Sequence, residues 1–92
     1  NDIKNNFNEE ETKRKAILAE RIDHLMRLNK LTNKALSELL CVGVSTVSGY
    51  RTAYRMPNPM VLCHLCSIFN VTPDYLLGYS DSYNHDLDDT QN

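Results

Sequence analysis

Aromatic residues are scarce in this 92-residue chain, which has no Trp, two Phe and five Tyr. That composition suits a compact helical bundle. With only three Gly, it has no Gly-rich loop to cradle a phosphate. Its apolar runs stay far short of the ~20 residues that span a bilayer, and no period-two alternation marks a strand. Three Cys is an odd number, which argues against a disulfide framework. The first residues lack the apolar stretch of a signal peptide, so the expected location is cytoplasmic. There are no paired carboxylates and no nucleophile–base set, so the chain is not expected to be an enzyme.

Bases are missing too, but only locally. After residue 55 there is no Lys or Arg, only Asp74, Asp81, Asp86, Asp88 and Asp89. Residues 1–11 carry Asp2, Glu9, Glu10 and Glu11 against Lys4. Between them, residues 12–55 hold nine bases against Glu20, Asp23 and Glu38. The net charge of −2 therefore hides a middle segment of about +6, the distribution of a polyanion-binding face.

That basic segment contains the most informative pattern. Residues 31 to 55 read as two short helices joined by the turn Cys41-Val42-Gly43. Leu36, Leu39 and Leu40 repeat at helical spacing before the turn, and Val47 and Tyr50 after it. Ser45, Ser48 and Thr52 fall on the opposite face of the second helix. Thr32 is placed to cap the first helix, with Leu31 and Leu36 as a hydrophobic staple. This is the spacing of a helix-turn-helix.

Other helices flank it. Residues 1–8 are polar and Asn-rich and are expected to be frayed. Glu9, Glu10 and Glu11 each precede Lys13, Arg14 and Lys15 by four residues, which favours a helix start near residue 9. That helix runs to about Asn29 with Leu18, Ile22, Leu25 and Met26 inward, and Asn29 suits the left-handed end better than Lys30. Asn58-Pro59 opens a further helix to Phe69, with Leu62, Leu65, Cys66 and Phe69 inward. Thr72-Pro73 opens a last short one that Gly78 stops. The domain is thus expected over 9–79, followed by an acidic, disordered tail over 80–92.

The order of parts resembles the phage-repressor/Cro-like helix-turn-helix family, also called XRE. The resemblance covers roughly residues 17–78. It rests on Arg21-Ile22 with Leu25, Leu31-Thr32-Asn33, Ser45-Thr46-Val47-Ser48, Arg55-Met56-Pro57 and Val71-Thr72-Pro73-Asp74-Tyr75-Leu76-Leu77-Gly78. It implies an all-α, five-helix, lambda-repressor-like bundle. It also implies a bacterial or phage transcriptional regulator, a repressor, that binds operator DNA as a homodimer. By position, Val44, Ser45, Ser48 and Gly49 would face base edges in the major groove. Asn33, Lys34, Thr52, Tyr54 and Arg55 would lie near phosphates. That reading set has no Arg, Lys, Asn or Gln, so the strongest bidentate base contacts are absent and DNA shape must contribute.

The chain also departs from the family pattern. Cys41 stands where Gly is usual in the turn, and Gly43 where a Ser or Thr cap is common. Arg51 replaces an acidic residue and Met26 its basic partner, which suggests a new pair between Arg51 and Asp23.

Two other readings stay open. One is a protein-interaction module on the same fold, engaging a partner through the acidic tail or through Tyr75, Tyr79 and Tyr83 with Leu76 and Leu87. The other is a thiol- or metal-responsive regulator using Cys41, Cys63 and Cys66. Against the second, zinc needs four ligands, and His64 lies ~100° around the helix from Cys63. Cys63 and Cys66 are expected to be buried thiols, and no metal or cofactor is expected.

Overall fold

Helix caps written in the sequence set most of the boundaries. The computed structural model describes residues 2–82, which form α1 (Asp2–Leu28), α2 (Asn33–Leu40), α3 (Val44–Arg51), α4 (Pro59–Phe69) and α5 (Pro73–Leu77). Among these residues there is no strand. The Thr32 hydroxyl accepts from the Ala35 N–H at 3.0 Å, the Asn58 amide oxygen from the Val61 N–H at 2.9 Å, and the Thr72 hydroxyl from the Tyr75 N–H at 3.1 Å. Each cap satisfies one of the orphan donors at a helix start. Pro59 and Pro73 follow their caps at the first helical position, where a missing N–H costs nothing.

The helix ends share one motif that the small number of glycines does not announce. Lys30, Cys41, Ala53, Asn70 and Gly78 all have positive φ, between 54° and 86°. In each case the next N–H reaches back five residues: Leu31 to the Met26 carbonyl, Val42 to Ser37, Tyr54 to Gly49, Val71 to Cys66 and Tyr79 to Asp74. These are Schellman-type closures, four of them made without glycine. The first falls on Lys30 rather than Asn29, whose side-chain amide instead donates to the Leu25 carbonyl at 2.7 Å.

The expected frayed segment is corrected: residues 2–8 are helical, and α1 starts seven residues before residue 9. Helix propagation from an anchored turn is cheap compared with nucleation. Here the anchor is Arg14, which pairs with Glu10 and donates to the Leu77 carbonyl at 2.6 Å. Further back, the Thr12 hydroxyl donates to the Asn8 carbonyl at 3.0 Å. The tail expected over 80–92 falls outside the described residues beyond Ser82.

The core gathers Leu18, Ile22, Leu25 and Met26 from α1 with Leu36, Leu40, Val47, Tyr50, Val61, Leu65, Val71, Tyr75 and Leu76. The expected inward faces of α1 and α3 are therefore the observed ones. On α2, Leu39 is exposed while Leu36 and Leu40 are buried, because a four-residue step keeps one face and the intervening residue turns away. On α4 the fully buried positions are Val61 and Leu65, with Leu62, Cys66 and Phe69 half-buried against them. Tyr75 and Leu76 cover this same core rather than an outer patch, while Tyr83 and Leu87 lie outside the described residues.

Two arginines of the basic segment fasten α5 to α1. Arg21 donates to the Tyr75 carbonyl, to the Ser80 carbonyl at 2.7 Å and to Asp81 at 3.1 Å, with its guanidinium 4.3 Å from the Tyr75 ring centre. Arg14 sits 4.1 Å from the ring centre of Tyr79. These contacts supply partners for carbonyls at the end of α5. They also place two of the nine bases in structural roles.

Candidate nucleic-acid interface

The α2–turn–α3 unit is fixed from both sides. Val47 and Tyr50 enter the core from α3, which leaves Val44, Ser45, Ser48 and Thr52 on its exposed side. At the turn, Cys41 adopts φ 58°, ψ 44°, and Gly43 precedes α3 in an extended conformation without a side-chain cap. The start of α3 is therefore unobstructed by any capping side chain. Behind it, Arg51 is clamped in place: its Nε donates to Asp23 at 2.8 Å and its Nη1 to the Asn33 amide oxygen at 2.6 Å. One carboxylate and one amide thus tie α3 to α1 and to the first turn of α2.

Asp23 also accepts from Arg27 at 2.7 Å. The hydrogen bonds from Arg27 and then Arg51 hold its carboxyl below the usual carboxylate range, against a smaller opposing effect of desolvation. The expected pairing of Arg51 with Asp23 is what the structure contains.

The residues assigned to phosphates fall into two groups. Lys34, Thr52, Tyr54 and Arg55 are exposed, Tyr54 at 77%, with the Arg55 guanidinium 5.9 Å from the Tyr54 ring centre. The Thr52 hydroxyl donates back to the Ser48 carbonyl at 3.0 Å, so its remaining capacity is as an acceptor. Asn33 gives its amide oxygen to Arg51, which leaves the NH2 of the same amide as the group that donates to an anion.

Among the residues expected at base edges, Gly49 differs in being turned inward. It is buried, and a Cβ at this position would come within 2.9 Å of the Arg55 Cγ and Cδ. The Arg55 and Tyr54 N–H groups both donate to its carbonyl, at 3.1 and 2.9 Å. Gly49 is therefore a floor for the Arg55 stem and presents no surface to a base. Burial pushes the Tyr50 phenol up, partly opposed by the nearby Arg55 charge. The sequence signal for this packing was a glycine in mid-helix, six residues before an arginine.

The cysteines differ from expectation as well. Cys41 and Cys63 are exposed and only Cys66 is half-buried. Burial, and to a smaller extent Cys63, push the Cys66 thiol up, away from the thiolate form that binds metal or attacks electrophiles. Among the described residues, no three His, Cys, Asp or Glu side chains converge as a metal set. No helix there is long and apolar enough to cross a membrane.

A rigid two-helix unit with a short polar helix held outward defines a class of protein, the helix-turn-helix DNA-binding domains. The helix-turn-helix family model matches residues 24–76, and the chain belongs to that family, of XRE type. It is not a family of enzymes. Over 60 residues the chain is 38% identical to the HTH-type transcriptional regulator AnsR of Bacillus subtilis (strain 168), covering 62% of this chain and 52% of AnsR. Over 61 residues it is 34% identical to the HTH-type transcriptional regulator ImmR of the same organism, covering 66% of this chain and 48% of ImmR. The chain thus matches about half the length of each of these curated relatives. No solved structure matches it significantly.

Proposed function

We propose that this chain is a transcriptional regulator, acting as a repressor, whose α3 enters the major groove of an operator. One observation carries the reading. Val44, Ser45 and Ser48 form an exposed face on a helix held rigidly by the Asp23–Arg51–Asn33 clamp, with Lys34 and Arg55 exposed on the same two-helix unit. Both named relatives are transcriptional regulators, which supports the same role.

The division of labour follows from side-chain reach. Val44 packs on a thymine methyl, while Ser45 and Ser48 accept from or donate to base edges. Lys34, Tyr54 and Arg55 engage phosphates, joined by the open N–H groups at the start of α3, while the Thr52 hydroxyl, its proton committed to Ser48, does not donate to them. Short reading residues give modest direct discrimination, so part of the selectivity comes from groove shape. As a homodimer the protein would read two half-sites about one helical turn apart.

Selection of bound sequences from random duplex DNA, followed by affinity measured against salt, tests the proposal. An enriched motif with a steep fall in affinity as salt rises is expected. Arg55→Ala should weaken binding to all sequences alike, whereas Ser45→Ala should change the preferred sequence. An absence of binding at low salt, or the reverse pattern for these two variants, overturns the docking.

A further inference from the structure

Val44 is apolar, yet the core does not use it. Its near neighbour Val42 packs against the buried cluster, whereas Val44 is no part of that cluster and stays 48% exposed. Single apolar residues are ordinary on a protein surface. This one opens α3, the helix proposed above to enter the major groove, and Gly43 before it has no side chain to cover it. Ser48 lies one turn further on, also exposed and on the same stripe, because residues four apart on a helix are neighbours. The outward stripe of α3 thus begins with an isopropyl group followed by a hydroxyl.

These two groups differ in what they can tell apart. At its 5-position thymine carries a methyl group where cytosine carries hydrogen, and beside it thymine offers an oxygen acceptor where cytosine offers an amino donor. A serine hydroxyl both donates and accepts, so Ser48 satisfies either of the latter. The Val44 side chain forms no hydrogen bond and gains only where a methyl group meets it. Its branching restricts its rotamers, so the contact surface is set before binding. A long amide or guanidinium on this stripe would override so small an effect, since a bidentate pair fixes the identity of a base. None of Val44, Ser45 and Ser48 is such a residue, and Gly49 is turned inward.

A valine and a hydroxyl one turn apart therefore distinguish a methylated pyrimidine from an unmethylated one, but not thymine from 5-methylcytosine. We infer, on the docking of α3 proposed above, that Val44 reads the C5 methyl of a pyrimidine. The protein then accepts 5-methylcytosine in place of thymine and registers cytosine methylation in DNA.

Affinity for the sequence selected from random DNA, measured with base analogues at each thymine, reads the outcome. T·A is compared with U·A, which lacks only the methyl group, and C·G with 5-methylcytosine·G, which gains only the methyl group. At one position the wild type should lose about fourfold from T to U, the worth of one buried methyl at about 0.8 kcal/mol. It should gain the same factor from C to 5-methylcytosine, and bind T·A and 5-methylcytosine·G about equally. Val44→Ser should abolish both differences with the melting temperature unchanged, because the side chain is outside the core. Ser48→Ala should weaken all four duplexes and leave both methyl effects in place. Indifference to the methyl group, methyl effects that persist in Val44→Ser, or 5-methylcytosine bound far more weakly than thymine overturns the inference and leaves the docking standing. Absence of any enriched sequence overturns the docking itself, and the inference with it.

Discussion

Arg51 on α3 and Asp23 on α1 form an ion pair, with Arg51 Nη2 at 2.6 Å and Nε at 2.8 Å from one carboxylate oxygen. The pair joins residues 28 positions apart in sequence and fixes the end of the proposed reading helix. It is partly shielded, the side chains being 21% and 31% exposed, so it is worth more than a freely solvated pair.

Reversing the charge at position 51 should show this directly. Arg51→Glu sets a second carboxylate beside Asp23 and leaves the Asn33 amide oxygen without its donor. A loss of about 1–2 kcal/mol is expected from repulsion and the broken bonds. Urea or thermal unfolding measures it, and an unchanged melting temperature would show that the pair contributes nothing.

Acid should weaken the same clamp. Asp23 has its folded-state carboxyl held below the ordinary value of 3.8 by Arg27 and Arg51. A depressed carboxyl stabilises the fold above the unfolded-state value, and that stabilisation is lost as pH falls through the lower, folded-state value. Stability should therefore decline as pH falls below about 4. Asp23→Asn should flatten that part of the profile, and a variant with the same acid slope as wild type would assign the effect elsewhere.

The left-handed helix ends offer stabilising substitutions. Cys41 and Ala53 hold φ of 58° and 65°, where a side chain costs roughly 1–2 kcal/mol that Gly avoids. Part of that gain is returned as entropy in the unfolded chain. Cys41→Gly and Ala53→Gly should each add about 0.5–1 kcal/mol in denaturant unfolding. The two gains should sum, since the sites close different helices.

Gly49→Ala should separate stability from binding. The added methyl favours the helix by about 1 kcal/mol, but it must displace the Arg55 stem from 2.9 Å. Because that stem is flexible, stability should change by less than about 1 kcal/mol. DNA affinity should fall for all sequences, as the guanidinium is re-aimed. Loss of affinity for one sequence class only would instead return Gly49 to the reading face.

Elements closed by local chemistry were legible in the sequence. Thr32, Asn58-Pro59, Thr72-Pro73 and Gly78 act on backbone groups within a few residues of themselves. They mark helix ends wherever the rest of the chain lies. The stripe Leu18, Ile22, Leu25 and Met26 was equally plain, because helical periodicity writes a buried face directly into the sequence. Lys30 and Ala53 gave no signal, since neither residue type favours the left-handed conformation that packing imposes on it.

Sequence alone thus determined the five helices, the turn between α2 and α3, the basic middle segment and the family. These depend on local caps, periodicity and charge order. Tertiary structure alone decided which residues of that segment are committed to the fold and which remain outward. It assigned Arg14 and Arg21 to α5, Asn33 to Arg51, and Gly49 to the underside of Arg55. It also left Ser45, Ser48 and Arg55 exposed. A charge or a glycine reads the same in sequence whether it meets solvent or another helix, and only the packing of distant segments distinguishes them.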